Sequence, residues 1–575
     1  MNDIVSHATR RNWNKLNTLQ KDKLTKRANK RLSKKRFIPT EYLSNSKNAI
    51  VLQEILEKID LDKFSIGAVI YSLAKFLLNK KGIKNPVTYS VLNENHYDYV
   101  DEIEEYNWPQ DERDLLGIVY QCLLFEGEKN QKGSYYTPTS IVRNMIKNLD
   151  FSNNQLFFDP CCGSGSFLIE IDANPSQLFG MDKDPIAVFI TKINMIIKYP
   201  EIDFCPHIEC RDYLEDANLF SFYSEIINKK FDYIMTNPPW GAVANQIYSI
   251  PDITSKETFS YFFVKSFLQL KNGGKICFLF PEAITNVKLH KDIRSFILKN
   301  CNIESLTIYE DSFTGVTTKY VDFRCSKDEP QKIIPVYKNN CIENIERASF
   351  FETENLVFNF LNEKDREIVR KVKNLGCYDL SESIWALGIV TGDNKSKISH
   401  IATKGSEQIY TGKEILPYSL KKTHSYIKYN RENLQQVAKE EYYRASEKLV
   451  YKFISNKLTF AYDNMQRLFL NSANILIPKI NGMSIKTVMA FLNSELYQYL
   501  YIQMFGEIKV LKGNLLELPF PKLSSSQDHD ISEAVTKILD GECTDELIQN
   551  QIYAIFNISD EQINHIRSVL YGEIA

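Results

Sequence analysis

The stretch LFFDPCCGSGSFLIEI, residues 156–171, decides how the chain is read. An apolar run closes on an acid, Asp159, a Gly163-Ser164-Gly165 turn follows, and from Ser166 onward the residues suit a helix. Strand, glycine turn and helix in that order form a nucleotide-type cofactor site, because glycine lets a ligand approach the backbone and the strand delivers a carboxylate at its carboxyl edge. A dinucleotide site needs a third glycine, and Leu168 stands at that position, which weakens a pyrophosphate ligand. The carboxylate of Asp159 opposes phosphate and suits a cationic amino group. Alone, Gly163 and Gly165 are also compatible with a plain tight turn.

Further short apolar runs, LFGMD, FDYIM and KICFLF, are separated by stretches each long enough for a helix, the pattern of a parallel α/β sheet. FGMDKDP ends its run at Asp182, roughly twenty residues beyond the glycine turn, where an acid can accept both hydroxyls of a ribose. CRDYLED supplies Asp212, placed to accept from an adenine amino group. Each acid singly also suits a cap or a turn. Three at successive strand ends are more specific. The strongest local signal is FDYIMTNPPWGA, residues 231–242. Two prolines fix φ so that the Asn237 side chain and the Pro238 carbonyl point at one spot beyond the sheet. Two acceptors and the Trp240 ring then suit a planar base with an exocyclic amine.

The 575 residues imply about three to five domains at ordinary domain size. Hydrophobic residues at 43% and charged residues at 25% exclude a mainly disordered, fibrous or membrane-spanning chain. Eleven cysteines without a CxxC pair give no disulfide framework or zinc ribbon, and the expectation is a cytoplasmic chain with reduced thiols and no membrane segment. No metal site is expected. Formal net charge is only -2, which by itself gives no sign of a nucleic-acid partner. That figure is a cancellation. Residues 10–36 carry twelve Lys or Arg against Asp22 alone, whereas residues 98–128 carry ten acids against Arg113 alone. The basic arm suits phosphate binding or a solvated helix, and the acidic run reads as a solvated helical face. Apolar residues at helical spacing from Val51 to Leu73 make residues 1–125 mainly helical. Glycine is scarce, 22 residues in all, so clusters of it are informative.

FDPCCGSG followed by TNPPW resembles the amino-methyltransferases that act on DNA with S-adenosylmethionine, specifically the adenine-N6 enzymes whose cofactor motif precedes the Asn-Pro-Pro motif. GSYYTPTSIV (133–142), SYFFVKSFLQLKNGGKICFLFP (260–281) and SFTGVTTKYVDF (312–323) resemble the flanking motifs of that family, in its order. GIVTGDNK, YTGKEILPY, KLVYKF, LTFAYDN, FLNSELYQYLY and LLELPFPK resemble the single C-terminal target-recognition domain of type II restriction-modification methyltransferases.

The resemblance implies an α/β chain in three parts: an N-terminal helical segment with a basic arm (1–125), a Rossmann-like S-adenosylmethionine-dependent methyltransferase domain (126–345) and an α+β target-recognition domain (346–575). It implies that Thr137 and Asp159 hold the methionine part of S-adenosylmethionine, Asp182 its ribose and Asp212 its adenine amine, with Phe262 flanking that adenine. Tyr136, Pro160, Cys162, Gly163, Gly165 and Asn237 complete the cofactor site. Asn237, Pro238, Pro239 and Trp240 form the catalytic turn, and Trp240 and Phe313 hold a flipped target adenine. One departure stands in the motif, Cys161 and Cys162 where the family shows one cysteine after a small residue. The implied activity is site-specific, adenine-N6 methylation of double-stranded DNA by a prokaryotic monomer whose cognate restriction endonuclease is separately encoded. A bifunctional restriction enzyme is the alternative, although no [Asp/Glu]-x-Lys, common in metal-dependent nucleases, occurs before Gly133.

Within the recognition region, Lys421, Lys422, Lys428, Arg431, Lys439, Arg444, Lys448, Lys452 and Lys457 stand against Glu432, Glu440, Glu441 and Glu447, with Tyr426, Tyr429, Tyr442, Tyr443 and Tyr451 interleaved. This cluster suits phosphate contacts or a mixed-charge surface. Because the fields are local, DNA affinity is expected to fall steadily as salt rises. Fluorescence anisotropy with a labelled duplex tests this, and an affinity flat from low to high salt would defeat the local-field reading.

Overall fold

The apolar runs are strands, and burial on both faces is why they read as continuous rather than alternating. Phe157 and Phe158 are fully buried, as are Ile234 and Phe278 in neighbouring strands. The computed structural model describes residues 38, 42–95, 97–109, 111–125, 136–147, 149, 151–152, 154–215, 224–240, 253–309, 319–338, 341–352, 355–455, 457–505 and 510–572. They form two units, one ending at Phe360 and one beginning at Leu361. The basic arm lies outside the described residues.

In the first unit one sheet is built from β1 (Phe157–Asp159), β2 (Leu178–Asp182), β3 (His207–Cys210), β4 (Phe231–Thr236), β5 (Leu270–Pro281), β6 (Asn302–Tyr309), β7 (Tyr320–Ser326), β8 (Ile333–Lys338) and β9 (Cys341–Glu346). Its order is β3-β2-β1-β4-β5-β7-β6-β8-β9. Strands β3, β2, β1, β4 and β5 are parallel, and β7 runs antiparallel between β5 and β6. Strand order reverses between β1 and β4, so successive crossovers leave to opposite sides there and open a crevice beyond the carboxyl ends.

Helices α1 (Asn48–Lys58), α2 (Ile66–Lys80), α3 (Pro86–Asn93) and α4 (Leu115–Leu123) precede the sheet. Ser65, Asn85 and Asp114 cap α2, α3 and α4 by accepting from Ala68, Thr88 and Gly117 N–H. Every residue of α4 is buried. After α5 (Thr139–Ile146) come α6 (Ser166–Glu170), α7 (Pro185–Lys198), α8 (Thr258–Gln269) and α9 (Lys291–Asn300). The N-terminal helices share one apolar cluster with Phe189, Ile190, Ile193 and Ile196 of α7. They are thus a layer of the sheet's own unit.

The acidic run is not uniformly a solvated face. Glu112, 7% exposed, accepts from Ser44 N–H at 2.8 Å and from the Asn48 amide at 2.7 Å, while Asp114 turns inward at the start of α4. Both carboxylates satisfy buried donors that no local pattern announces.

The second unit is α+β. A four-stranded antiparallel sheet, in the order Ile384–Leu387, Ala473–Ile477, Lys448–Lys452, Phe460–Asp463, lies between a helical cluster and a second small sheet. Leu449 and Tyr451 enter the helix-covered core and Val450 the opposite one, as strand periodicity dictates. Two members of the basic and aromatic cluster expected at the surface prove to be core: Tyr443 and Tyr451 are buried. Lys448 is also fully buried, donating to Tyr443 O at 2.7 Å and pairing with Asp463 at 2.5 Å. Arg444 is engaged by Glu407 at 2.7 Å, whereas Lys421, Lys422, Lys428, Arg431, Lys439 and Lys457 are exposed.

Phe158 stacks on Phe231 at 4.7 Å between ring centroids and meets Tyr213 edge-on at the centre of the sheet's core. Phe158→Ala is expected to cost about 3–5 kcal/mol. Chemical denaturation measures it, and an unshifted midpoint for the first unit would contradict this packing.

Candidate active site at the carboxyl edge of the sheet

Four sequence-predicted residues arrive at one edge because each ends or follows a parallel strand. Asp159 closes β1, Asp182 closes β2, Asp212 lies two residues past β3, and Asn237 immediately follows β4. Register places Asp159 opposite Gly180 and Asp182 opposite Cys210, with Phe158 opposite Ile234 on the other side.

The glycine turn is built for close approach. Gly163 and Gly165 have φ of +54° and +86°, the left-handed region that favours glycine. A Cβ on Gly163 would stand 2.9 Å from the Tyr136 ring, and one on Gly165 would stand 2.9 Å from Thr191. Cys162 N–H bonds to Met181 O at 2.9 Å and tethers the turn to β2. Asp159 accepts from Cys161 N–H at 3.1 Å. Asp182 accepts from Gly163 N–H and Asp184 N–H, each at 2.9 Å. Asp212 is half-buried and accepts from Leu214 N–H at 3.0 Å. Pro160, Cys162 and Thr137 are buried beside them.

Burial dominates the electrostatics. It pushes the Asp159 carboxyl up to about 7, with further elevation from Asp182, against the opposing effects of the Thr236 hydroxyl and Cys161 N–H. Burial likewise raises Asp182.

The Asn-Pro-Pro-Trp turn leaves β4 with Asn237 half-buried, Pro238 buried and Pro239 half-buried. Trp240 donates from its indole to Leu279 O of β5 at 3.2 Å, and its ring lies 6.3 Å from that of Tyr320, which stacks on Tyr309 at 4.8 Å. Phe262 on α8, 6% exposed, packs against Tyr213 at 5.3 Å, next to Asp212. Phe313 lies outside the described residues.

The residues suit a cationic ligand bearing hydroxyls. Three carboxylates gather at one edge of the sheet, and Gly163 and Gly165 put no side chain there. The Tyr136 hydroxyl is shielded from solvent with no hydrogen-bond partner among the described residues, and burial, with Tyr120, Asp182 and Asp184 nearby, raises its pKa. An orphaned buried hydroxyl calls for a ligand partner.

Asp114 and Tyr120 were not legible as part of this edge. Asp114 accepts from the Ser164 hydroxyl in the glycine turn and from Asn194 at 2.7 Å, and burial pushes it up to about 7. Tyr120 donates to Asp184 at 2.5 Å. The available signal was Gly117, a glycine inside an apolar helical run of a glycine-poor chain.

A mainly parallel sheet with β7 inserted antiparallel and β9 antiparallel at its edge, acids at the ends of β1 and β2 and just past β3, and an Asn-Pro-Pro-Trp turn after β4 define the Rossmann-like class of group-transfer domain. The N-6 DNA Methylase family matches residues 111–363, and the TaqI-like C-terminal specificity domain matches residues 407–520. The type II methyltransferase M.VspI of Vibrio sp. (strain 343) is 30% identical over 318 residues, spanning 52% of this chain and 74% of that one. The type I restriction enzyme MjaIX methylase subunit of Methanocaldococcus jannaschii is 24% identical over 397 residues, 61% of this chain and 66% of its own. The solved structure of the type IIL restriction-modification enzyme MmeI in complex with DNA shares the fold at a TM-score of 0.55, with 13% identity over 94% of this chain and 92% of that one. The chain belongs to the N-6 DNA methylases of restriction-modification systems. Its cofactor is S-adenosylmethionine and its partner is DNA. Among the described residues no helix is long and apolar enough to cross a membrane.

Because Asp159 titrates near 7 in the fold, the folded chain keeps a proton there that an unfolded carboxyl releases from about pH 4 upward. Stability of the ligand-free protein is therefore expected to decline as pH rises toward 7, and Asp159→Asn to remove part of that slope. Thermal denaturation across this range is the measurement, and identical slopes for parent and variant would refute the assignment.

Proposed function

We propose that the chain methylates N6 of adenine at a specific site in double-stranded DNA, the adenine being rotated out of the helix into the crevice between β1 and β4. The observation that carries this reading is the β1–β4 pairing, which sets Asp159 and the Asn-Pro-Pro-Trp turn on the same edge of adjacent strands. S-adenosylmethionine, when bound, supplies an electrophilic sulfonium methyl. Asp159 and Thr137 hold its cationic methionine part, the Tyr136 hydroxyl gives a further polar contact, Asp182 accepts from the ribose, and Asp212 with Phe262 receives the adenine. The carboxylates of Asp159 and Asp182 would be pulled toward their ionised forms by that positive charge.

N6 of a stacked adenine cannot reach a pocket, so the base must leave the duplex. Unstacking costs a few kcal/mol, and stacking on an aromatic ring returns about 1–3 kcal/mol per base. Trp240, anchored by its indole N–H to β5, is the wall for that stacking, and the family resemblance assigns the second aromatic contact to Phe313. The Asn237 amide oxygen and the Pro238 carbonyl accept hydrogen bonds from the two amine N–H groups and concentrate the nitrogen lone pair toward the methyl; once the N–C bond forms, the amine loses its surplus proton to solvent. Pro239 stiffens the turn that aims them. Preorganised acceptors and alignment supply the rate. The C-terminal specificity domain selects the sequence, its exposed lysines and Arg431 meeting phosphates. The protein acts as a monomer alongside a separately encoded endonuclease.

Asn237→Ala is expected to abolish methyl transfer while retaining S-adenosylmethionine binding. Incorporation of labelled methyl groups into host DNA and calorimetric titration of the cofactor measure the two separately. Full transfer by the variant would sink the role assigned to Asn237.

A further inference from the structure

Helix α4 touches the candidate cofactor site at two places through two different loops. At its N-terminus, Asp114 takes the Ser164 hydroxyl on one oxygen, and on the other the Asn194 amide at 2.7 Å and Gly117 N–H at 3.0 Å. Asn194 also donates to Ser164 O at 2.9 Å, so the middle residue of the Gly-Ser-Gly turn is held by both side chain and backbone. Gly117 permits this approach. A Cβ there would stand 2.5 Å from the Ser164 Cβ. One helical turn and a half further on, Tyr120 donates to Asp184 at 2.5 Å. Asp184 N–H bonds to one Asp182 oxygen and Gly163 N–H to the other, each at 2.9 Å. The bonds close a circuit from α4 through Ser164, Gly163, Asp182 and Asp184 back to α4. Asp182 is thereby fixed by two backbone donors, leaving its remaining lone pairs for a ligand.

We propose that Asp114 and Tyr120 are positioning residues for the cofactor, α4 holding the glycine turn and the Asp182 loop at the separation S-adenosylmethionine requires. The inference rests on the cofactor site described under the proposed function. Neither side chain touches reacting atoms. Their contribution is preorganisation: a loop pair already set at the bound spacing loses less freedom on binding. Asp114 is half-buried and accepts from three donors, of which Ser164 and Asn194 are buried, so deleting it leaves the Ser164 hydroxyl and the Asn194 amide without this partner.

The experiment uses the full chain, S-adenosylmethionine in calorimetric titration, and steady-state kinetics on duplex DNA containing the target site. Asp114→Ala is expected to raise the cofactor Kd and KM about 10- to 100-fold, the scale of one buried hydrogen-bond network lost, with kcat at saturating cofactor and KM for DNA within about threefold of the parent. Tyr120→Phe removes the hydroxyl that makes the other tether and is expected to raise cofactor Kd about 3- to 10-fold. Asp114→Asn keeps an acceptor for Asn194 and a donor for Ser164, and should restore near-parent binding. Parent-like cofactor Kd in both Asp114→Ala and Tyr120→Phe, or losses that fall on kcat and DNA instead, would overturn the inference. If Asp114→Ala does not fold, Tyr120→Phe and Asp114→Asn decide it by the same split. Failure of the parent chain itself to bind S-adenosylmethionine would instead overturn the reading of the site.

Discussion

Parallel pairing of β1 with β2 on one side and β4 on the other is the constraint on which the rest depends. A strand flanked on both sides by parallel neighbours must be buried on both faces, and Phe157 and Phe158 meet that demand with no exposed surface. The chain cannot continue past Asp159 without turning sharply, and the turn falls where the strand order reverses. The acids at the strand ends are thus gathered by topology, not by proximity in the chain. Their burial has an electrostatic cost, visible in the raised Asp159 and Asp182 carboxyls, to which Asp182 and Asp184 respectively add. A positively charged ligand relieves it.

The same logic explains which parts of the site were readable. Asp159, Asp182, Asp212 and Asn237 lie where expected because a strand end is marked locally, by an apolar run that stops at an acid or at Asn-Pro-Pro. The helix after the glycine turn begins at Ser166 for the same reason. Asp114 was hidden. It belongs by composition to an acidic run, and its burial is set by Ser164 and Asn194, 50 and 80 residues away. Lys448 was misread as a surface cation for a parallel reason. In KLVYK the alternation of the strand admits either face for the lysine, and Asp463 on the paired strand, with the Tyr443 carbonyl, makes an interior position tolerable. Charge is legible residue by residue, whereas neutralisation of charge is a property of pairs.

The second unit is the less legible of the two. Its sheets are short, with strands of two to five residues, and its order follows from pairings distant in sequence, such as Ile384–Leu387 with Ala473–Ile477. Motif order was sufficient to identify it as a specificity domain, but the sorting of its tyrosines into core and surface required the fold. Tyr443 and Tyr451 close hydrophobic clusters, whereas Lys421, Lys422, Lys428, Arg431, Lys439 and Lys457 are exposed.

Helix α7 has apolar residues on the side that meets the N-terminal layer, among them Phe189, Ile190, Ile193 and Ile196, none more than 2% exposed. Removing the layer would turn that side into a contiguous greasy patch of the kind that drives self-association. Evolution and the engineer face the same restriction: the portable block is helices and sheet together, and a shuffled catalytic core must carry its own lining or inherit a compatible one.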